Sequence, residues 1–217
     1  MPEVEPPTPM EEMLKAQDFV DEYNRRIAVN LRRVEDLVNF AQDNRLPPLI
    51  KDDILRAAVV LLHATLEDFL RYIGGRYIPS GGEDVLDKIP VVGLPDRSER
   101  LTLGKLAKHR DKTVDQLIIE SVEARLDKRS FSSTNEVTSL LASIGVPNSE
   151  VETYYSSLSE LIARRHGIVH KGDLIASDNE QSERNAQPID AAKVIEWYNT
   201  VYDFITEVAA YKLKTGV

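Results

Sequence analysis

The sequence predicts an all-α protein, a helical bundle elaborated with short helices. Apolar residues recur near every 3.6 positions over long stretches of the 217 residues, and charged residues fill the positions between them. Helix breakers are scarce in the interior, because five of the 11 prolines fall at Pro2, Pro6, Pro7, Pro9 and Pro47. The alternating patterns typical of strands are absent outside short fragments. Together these observations favour helices that pack on one another.

Two long helices are predicted in the N-terminal half of the chain. The first spans about Met10–Asp43, where apolar residues keep helical spacing until Pro47-Pro48 stops the helix. The second is expected over Asp52–Ile73, with Gly74-Gly75 as its end. Residues 75–98 are expected to form an irregular loop, because glycine and proline recur there in two turn-rich segments.

Five further helices are predicted in the C-terminal half. Their expected ranges are Leu101–His109, Thr113–Lys128, a helix capped by Ser133 or Thr134 that runs to Ile144, Ser149–Val169, and Ile189–Lys214. A polar loop at residues 171–187 separates the last two, and Pro188 suits the start of the final helix.

Composition and charge limit the classes of function. The formal net charge of −9 argues against a broad surface that coats nucleic acid, but it leaves room for a small basic cleft. The absence of cysteine excludes disulfides and thiolate metal sites. No run of about 18 apolar residues exists, so we expect no membrane-spanning helix and no membrane partner. The acidic, proline-rich residues 1–9 are expected to be a disordered arm rather than a signal peptide, which leaves one cytoplasmic domain over residues 10–217.

The end of the helix predicted over residues 149–169 carries the most reactive set of side chains in the chain. Arg165, His166 and His170 have the spacing Arg-polar-x-x-x-His, and Arg164 and Lys171 flank them. An arginine can hold phosphate through two parallel hydrogen bonds. An imidazole gains or loses a proton near neutral pH. These groups suffice for cutting RNA without a metal or another cofactor.

Ideal helical geometry predicts where these side chains point. Arg165 lies in register with the apolar stripe of its helix and is therefore expected to face a core or an interface, while Arg164 points elsewhere. His170 follows Arg165 by five residues, about 140° around the helix axis, so the two are not expected to converge within one helix. Either the helix distorts near Gly167, or a second copy of the chain completes the site across a dimer.

The chain resembles HEPN domains, and within them the RiboL-PSP-HEPN subgroup. Arg165–His170 matches the Arg-polar-x-x-x-His signature, and Leu61–Arg71 and Ser130-Phe131 add to the resemblance, which covers about Ala57 to Phe204. It implies a helical bundle that often forms homodimers. It also implies a metal-independent endoribonuclease, frequently a toxin or a phage-defence effector that an antitoxin or another regulatory protein controls. The polar position is most often Asn in the family, whereas this chain has His166.

The mechanism expected for such a domain is attack by an RNA 2'-hydroxyl on the adjacent phosphate, which leaves a 2',3'-cyclic phosphate. His170 would act as general base or acid, because an ordinary imidazole pKa of about 6.5 suits that work near neutral pH. Arg165 would hold the phosphate and stabilise the charge that develops on its oxygens. Glu67, on the second predicted helix, is expected to orient Arg165, and Arg71 is the other candidate partner for its carboxylate.

Three alternatives stay open from the sequence. Arg165 and His170 could serve only as an ion-pairing and helix-capping pair. The chain could also be a non-catalytic module of the same fold that binds RNA, a nucleotide or a partner protein. Finally, His166 and His170 have the helical spacing of two metal ligands, with Asp173 as a third, which would suit a metal-dependent hydrolase that EDTA inactivates.

Overall fold

The all-α prediction is confirmed. A computed structural model describes residues 8–93, 102–174 and 186–215, and within them the only β feature is an isolated antiparallel bridge between Leu174 and Ala186. The α-helices of this part of the chain are α1 (Pro9–Tyr23), α2 (Val29–Ala41), α3 (Pro48–Tyr77), α4 (Glu83–Leu86), α5 (Leu103–Leu106), α6 (Val114–Asp127), α7 (Thr134–Ser143), α8 (Tyr155–Lys171) and α9 (Ala191–Thr215). The expected disordered arm lies outside the described residues except for its last two positions.

The first long helix is confirmed as one helical run with a wider turn in the middle. Between α1 and α2, Asn24–Ala28 is wound as a π-helix, a form with more residues per turn than an α-helix. Phe19, Ile27, Leu31 and Val34 are buried along this run, as expected for the apolar stripe of an amphipathic helix.

The second long helix is longer at both ends than the sequence indicated. α3 begins at Pro48, whose fixed backbone angle suits a first helical turn. It also continues through Gly74-Gly75, so the prediction that these glycines end the helix is wrong. A β-carbon on Gly74 would lie 3.0 Å from Leu140 Cδ1 and 3.2 Å from Leu126 Cδ1. The glycine therefore permits close packing of its neighbours instead of terminating the helix.

Side-chain caps explain why the shorter helices begin where they do. Thr113 caps α6 and Ser133 caps α7, and in each case the residue three positions on, Gln116 or Glu136, returns a bond to the capping residue's backbone. These reciprocal bonds satisfy amides that the first turn of a helix leaves without partners. Of the two caps expected for α7, the structure uses Ser133.

The last two helices begin later than predicted, α8 by six residues and α9 by two. Before α8 the chain forms two 3₁₀ turns, Asn148–Glu150 and Glu152–Tyr154, and the α-helix begins at Tyr155 instead of Ser149. α9 begins at Ala191 rather than at residue 189, because Asp190 Oδ1 accepts a bond from the amide of Ala192 in the first turn.

The irregular loop expected over residues 75–98 is only partly correct. Residues up to Tyr77 belong to α3, and a 3₁₀ turn, Ile78–Ser80, precedes the short α4. Residues 94–101 lie outside the described chain, as do residues 175–185 of the polar loop expected before the last helix. No helix in the described residues is long and apolar enough to cross a membrane.

The chain divides into two compact units. The first unit comprises Met1–Leu66 with Val151–Val217, and the second unit is Glu67–Glu150. Within the first unit α9 packs against α2 and α8. The contact between α8 and α9 includes the Ser157–Thr200 hydroxyl pair, 3.0 Å apart. The single domain over residues 10–217 stays a prediction.

Candidate functional site

The residues with the Arg-polar-x-x-x-His spacing lie at the C-terminal end of α8, in the first unit. The helix buries Leu158, Leu161 and Ile162 and ends at Lys171. Gly172 follows with a φ of +62°, a left-handed conformation that glycine adopts without a steric penalty. Asp173 follows with a φ of +57°, and its amide donates to Gly167 O at 3.0 Å. This tight turn sends the chain back toward the body of the first unit.

Arg165 and His170 approach each other within the unbroken helix. Arg165 Nη1 lies 3.5 Å from His170 Nε2, so the prediction that they would not converge within one helix is wrong. Neither the expected distortion at Gly167 nor a second copy is needed, because the long arginine side chain spans the turn between them. For Arg165 to donate to this imidazole, Nε2 must carry no proton.

The other polar residues of the signature lie on the same exposed end of the helix. The rings of His166 and His170 are 4.8 Å apart between centroids and tilted by 46°. His166, His170 and Lys171 are all exposed, and Arg165 is half-buried. Within the residues that the structure describes, Arg165 has no carboxylate partner. Its guanidinium is therefore available to an anionic ligand.

Arg164, not Arg165, is the arginine that enters the interior. Its side chain is 12% exposed, and its Nη2 lies 2.8 Å from Oδ2 of Asp173, a carboxylate that is 2% exposed. Arg56 of α3 reaches the same oxygen with Nε at 2.7 Å. The expectation that Arg164 points away from the interior is thus wrong. The register argument placed only the Cβ atoms, and the arginine side chain bends from there toward the buried carboxylate.

The two arginines also hold the segment that leads into α9. Arg56 Nη2 donates to Gln187 O at 2.9 Å, and Arg164 Nη2 donates to the same oxygen at 3.0 Å and to Pro188 O at 3.2 Å. Arg164 Nη1 donates to the Gln187 side-chain oxygen, and the amide of Gln187 donates to Asp173 O at 2.7 Å. We call Arg56, Arg164, Asp173 and Gln187 the arginine clamp. It ties α3, the end of α8 and the start of α9 into one network.

Burial and the charge of Asp173 act in opposite directions on the pKa of each arginine of the clamp. Burial tends to lower the pKa of Arg56, but the bond and charge of Asp173, the charge of Asp52 and the bond to Asp53 outweigh it, so the pKa is raised. The pKa of Arg164 is lowered, first by burial, against the attraction of Asp173 and with the repulsion of Arg56. Both guanidiniums stay charged at physiological pH. The Asp173 carboxylate thus holds two cations at the end of α8, which we call the motif helix because it carries Arg165, His166 and His170.

Glu67 uses its carboxylate within the second unit. Its Oε2 faces Arg71 Nη2 at 3.4 Å, and its Oε1 accepts from the amide of Phe131 at 3.2 Å. Of the two arginine partners expected from the sequence, the structure therefore shows the Arg71 pair. The alternative role, orientation of Arg165, has no support from these bonds.

The metal alternative loses its third ligand. Asp173, expected beside His166 and His170, is instead bonded to Arg56 and Arg164. In the described part of the chain, no group of three or more His, Asp or Glu side chains is arranged to hold a metal ion.

Two members of the clamp, Arg56 and Gln187, were missed from the sequence. Arg56 had a usable signal, because it interrupts the apolar stretch of its helix between Leu55 and Ala58, where a charge needs a partner. Gln187 had no such signal in the sequence, because it bonds to the other members of the clamp mainly through its backbone amide and carbonyl. Asp173 was considered, but as a metal ligand rather than as the partner of arginines.

The fold and the site together define a helical domain whose motif helix carries an exposed arginine–histidine pair. Comparison with known families agrees with this. The chain belongs to the RiboL-PSP-HEPN family, a family of HEPN domains, because the model of that family matches residues 25–211, most of the chain. The resemblance inferred from the signature is thereby confirmed. No curated protein and no solved structure matches the chain significantly.

Proposed function

We propose that this protein is a metal-independent endoribonuclease in which Arg165 and His170 act on the RNA phosphate. The observation that carries the proposal is the 3.5 Å approach of Arg165 Nη1 to His170 Nε2 on an exposed helix end. Both groups are accessible to a large substrate, and Arg165 has no carboxylate partner among the described residues that would compete with a phosphate. Membership of a HEPN family agrees with this chemistry.

In the proposed reaction the 2'-oxygen forms a bond to the adjacent phosphorus, and the bond from phosphorus to the 5'-oxygen breaks. When the Arg165 guanidinium turns from His170 Nε2 to the phosphate, that nitrogen in its unprotonated form accepts the proton of the 2'-hydroxyl. Arg165 stabilises the charge that develops on the phosphate oxygens. The 5'-oxygen takes a proton from a second acid, for which we propose His166, whose ring lies 4.8 Å from that of His170. The products are a 2',3'-cyclic phosphate and a 5'-hydroxyl.

The test is cleavage of total RNA and of a tRNA pool by purified protein in EDTA. We expect wild type to leave cyclic phosphate ends, and His170→Ala and Arg165→Ala to lower the rate by about 10²–10⁴-fold, the usual effect of removing a general base or a charge-stabilising group. Arg32→Ala, an exposed arginine on α2, is the matched control and should cleave like wild type.

Three results would refute the proposal of a metal-independent ribonuclease at this site. Equal rates for wild type and His170→Ala would place any cleavage outside this site. Inactivity of all variants on both RNA pools would instead favour a non-catalytic HEPN module that binds RNA, a nucleotide or a protein, an alternative with which the acidic net charge of −9 agrees. Loss of activity with EDTA would reinstate a metal-dependent hydrolase.

We further propose that the protein acts as a cytoplasmic homodimer in a toxin or phage-defence system, with the motif ends of two copies facing each other. Val169 supports this arrangement, because it lies between the two histidines in sequence and its side chain is 46% exposed. A second copy would cover this apolar surface. Sedimentation of wild type and Val169→Asp tests the dimer: a dimer that becomes a monomer on substitution supports it, and a wild-type monomer refutes it.

Growth arrest on expression, relieved by His170→Ala, tests the toxin role.

A further inference from the structure

A second cluster of basic side chains lies in the second unit and takes no part in the motif of α8. Residues in and after α4, along α6 and the segment that follows it, and along α7 line a cavity of about 970 Å³. The cations that line it are Lys88, Arg125, Lys128 and Arg129. Such a concentration of positive charge is unexpected in a chain whose net charge is −9, because random placement would favour acidic linings.

Lys88, Arg125 and Lys128 are exposed, and Arg129 is half-buried. Within the residues that the structure describes, none of them forms an ion pair with a carboxylate. The lining includes two carboxylates, but that of Glu136 is committed to its capping box, where Oε2 accepts from the amides of Ser132 at 2.7 Å and Ser133 at 3.1 Å. Asp84 is the other. The cavity therefore keeps an excess of positive charge that a ligand anion could balance.

Arg129 is positioned as a fixed donor in this cavity. Its Nη2 donates to Glu136 O at 2.6 Å, and its guanidinium lies 5.2 Å from the centre of the Phe131 ring. These contacts hold the guanidinium plane while leaving other N–H groups without an acceptor among the described residues. Burial lowers the pKa of Arg129, against the charge of Glu136, which raises it, and the charge of Arg125 lowers it further. The guanidiniums of Arg125 and Arg129 therefore lie within electrostatic range of each other. An anion that contacts both would relieve this repulsion.

The rest of the lining suits an organic group rather than a bare ion. Buried apolar side chains of Ile78, Val122 and Leu126 form part of the wall. The hydroxyls of Ser130 and Ser139 add polar groups at the edge. A cavity of this size falls within the range of about 300–1,000 Å³ that is typical of small-molecule sites, which combine apolar walls with a few polar anchors.

From this arrangement we propose that the second unit binds a small organic phosphate of nucleotide size, with its phosphates against Arg125, Lys128 and Arg129 and its organic part against the apolar wall. The proposed site is separate from the ribonuclease motif, which lies in the first unit. Arginine guanidiniums suit the phosphate oxygens because their paired N–H groups match the spacing of those oxygens. Four cations that form no ion pair with a described carboxylate favour a diphosphate over a monophosphate.

The test is titration calorimetry of the full-length chain with ADP, adenosine and inorganic pyrophosphate as probes, each at up to about 1 mM. We expect ADP to bind, and to bind more tightly than either pyrophosphate or adenosine. The double variant Arg125→Ala/Lys128→Ala should bind ADP about tenfold or more weakly. The matched control is Lys108→Ala/Arg110→Ala, which removes the same charge from two exposed side chains outside the cavity. It should bind ADP like wild type.

Each alternative result overturns a stated part of the proposal. No binding of ADP, or equal binding by the Arg125/Lys128 variant, would overturn the site. Binding of pyrophosphate as tight as that of ADP would overturn the role of the apolar wall, and equally tight binding of adenosine would overturn the role of the phosphates. His170→Ala should bind ADP unchanged, which keeps this test independent of the ribonuclease proposal. Because Arg125 and Lys128 are exposed, we expect their removal to leave the thermal unfolding temperature unchanged.

Discussion

Arg164 Nη2 lies 2.8 Å from Asp173 Oδ2, across the left-handed turn that ends the motif helix. Arg165, the next residue in the chain, lies instead 3.5 Å from His170 and has no carboxylate partner in the described residues. Two adjacent arginines therefore have different environments. One is bonded within the protein and holds the helix end in place, and the other is free to bind a ligand. The first two predictions follow from this difference.

Asp173→Asn should destabilise the protein strongly. The substitution leaves Arg56 and Arg164, with side chains 11% and 12% exposed, without the anion that both contact. Loss of one partner from a buried ion pair costs about 3–5 kcal/mol in the free energy of unfolding. Urea denaturation measures this change. Asp53→Asn is the control, because Asp53 also pairs with Arg56 but is 61% exposed, so its loss should cost about 1 kcal/mol or less. Equal effects of the two substitutions would contradict the clamp.

Arg164→Lys and Arg165→Lys should separate stability from catalysis. A lysine at position 164 keeps the charge but cannot bond Asp173, Gln187 and Pro188 together, so we expect a loss of about 1–3 kcal/mol in the free energy of unfolding. Lysine at position 165 should leave stability within about 0.5 kcal/mol, since that side chain makes no ion pair in the described structure. It should nevertheless lower the RNA cleavage rate, because an ammonium cannot hold phosphate bidentately. The reverse pattern, with position 165 controlling stability, would show that the two roles are exchanged.

Gly74→Ala and Gly75→Ala should change stability in opposite directions. At Gly75 a new β-carbon would meet Leu126 Cδ1 at 3.9 Å, an ordinary contact, so the higher helix propensity of alanine should stabilise the protein by about 0.5–1 kcal/mol. At Gly74 the contact with Leu140 Cδ1 would be 3.0 Å, and overpacking costs about 1–3 kcal/mol. Thermal and urea unfolding measure both. Equal stabilisation by the two substitutions would show that the leucines yield without strain.

The ion pair between Glu160 of α8 and Lys193 of α9 should make a pH-dependent contribution to the stability of the folded state. The bond to Lys193, 2.7 Å from its Oε2, lowers the pKa of the Glu160 carboxyl below its ordinary value. A carboxyl with a lowered pKa stabilises the folded state above its unfolded pKa, and this stabilisation is lost as the pH falls through the lowered value. NMR titration of Glu160 should find a pKa below 4.5 in wild type and a higher one in Lys193→Ala. An unchanged pKa in the variant would contradict the pairing.

Local signals made much of the fold predictable. The 3.6-residue period revealed the long helices, and the polar residues Ser133 and Thr134 located the start of α7 to within one residue, because a helix cap involves only residues of adjacent turns. A local signal also gave a wrong prediction at Gly74, where the glycine was expected to end α3. There the glycine serves contacts with Leu126 and Leu140, more than 50 residues away in the chain, that no local pattern contains.

For the candidate site, the sequence by itself determined which residue types lie together on one helix end. Arg165, His166 and His170 share the last turns of α8 because of their spacing, but the approach of Arg165 to His170 was not expected from that spacing and is shown only by the structure. Only the tertiary structure decided which arginine is buried. Arg56 precedes Asp173 by 117 residues, and folding alone brings its guanidinium to 2.7 Å from that carboxylate. A buried carboxylate must find cations wherever the fold supplies them, and the nearest candidates in space are not marked by spacing in the chain.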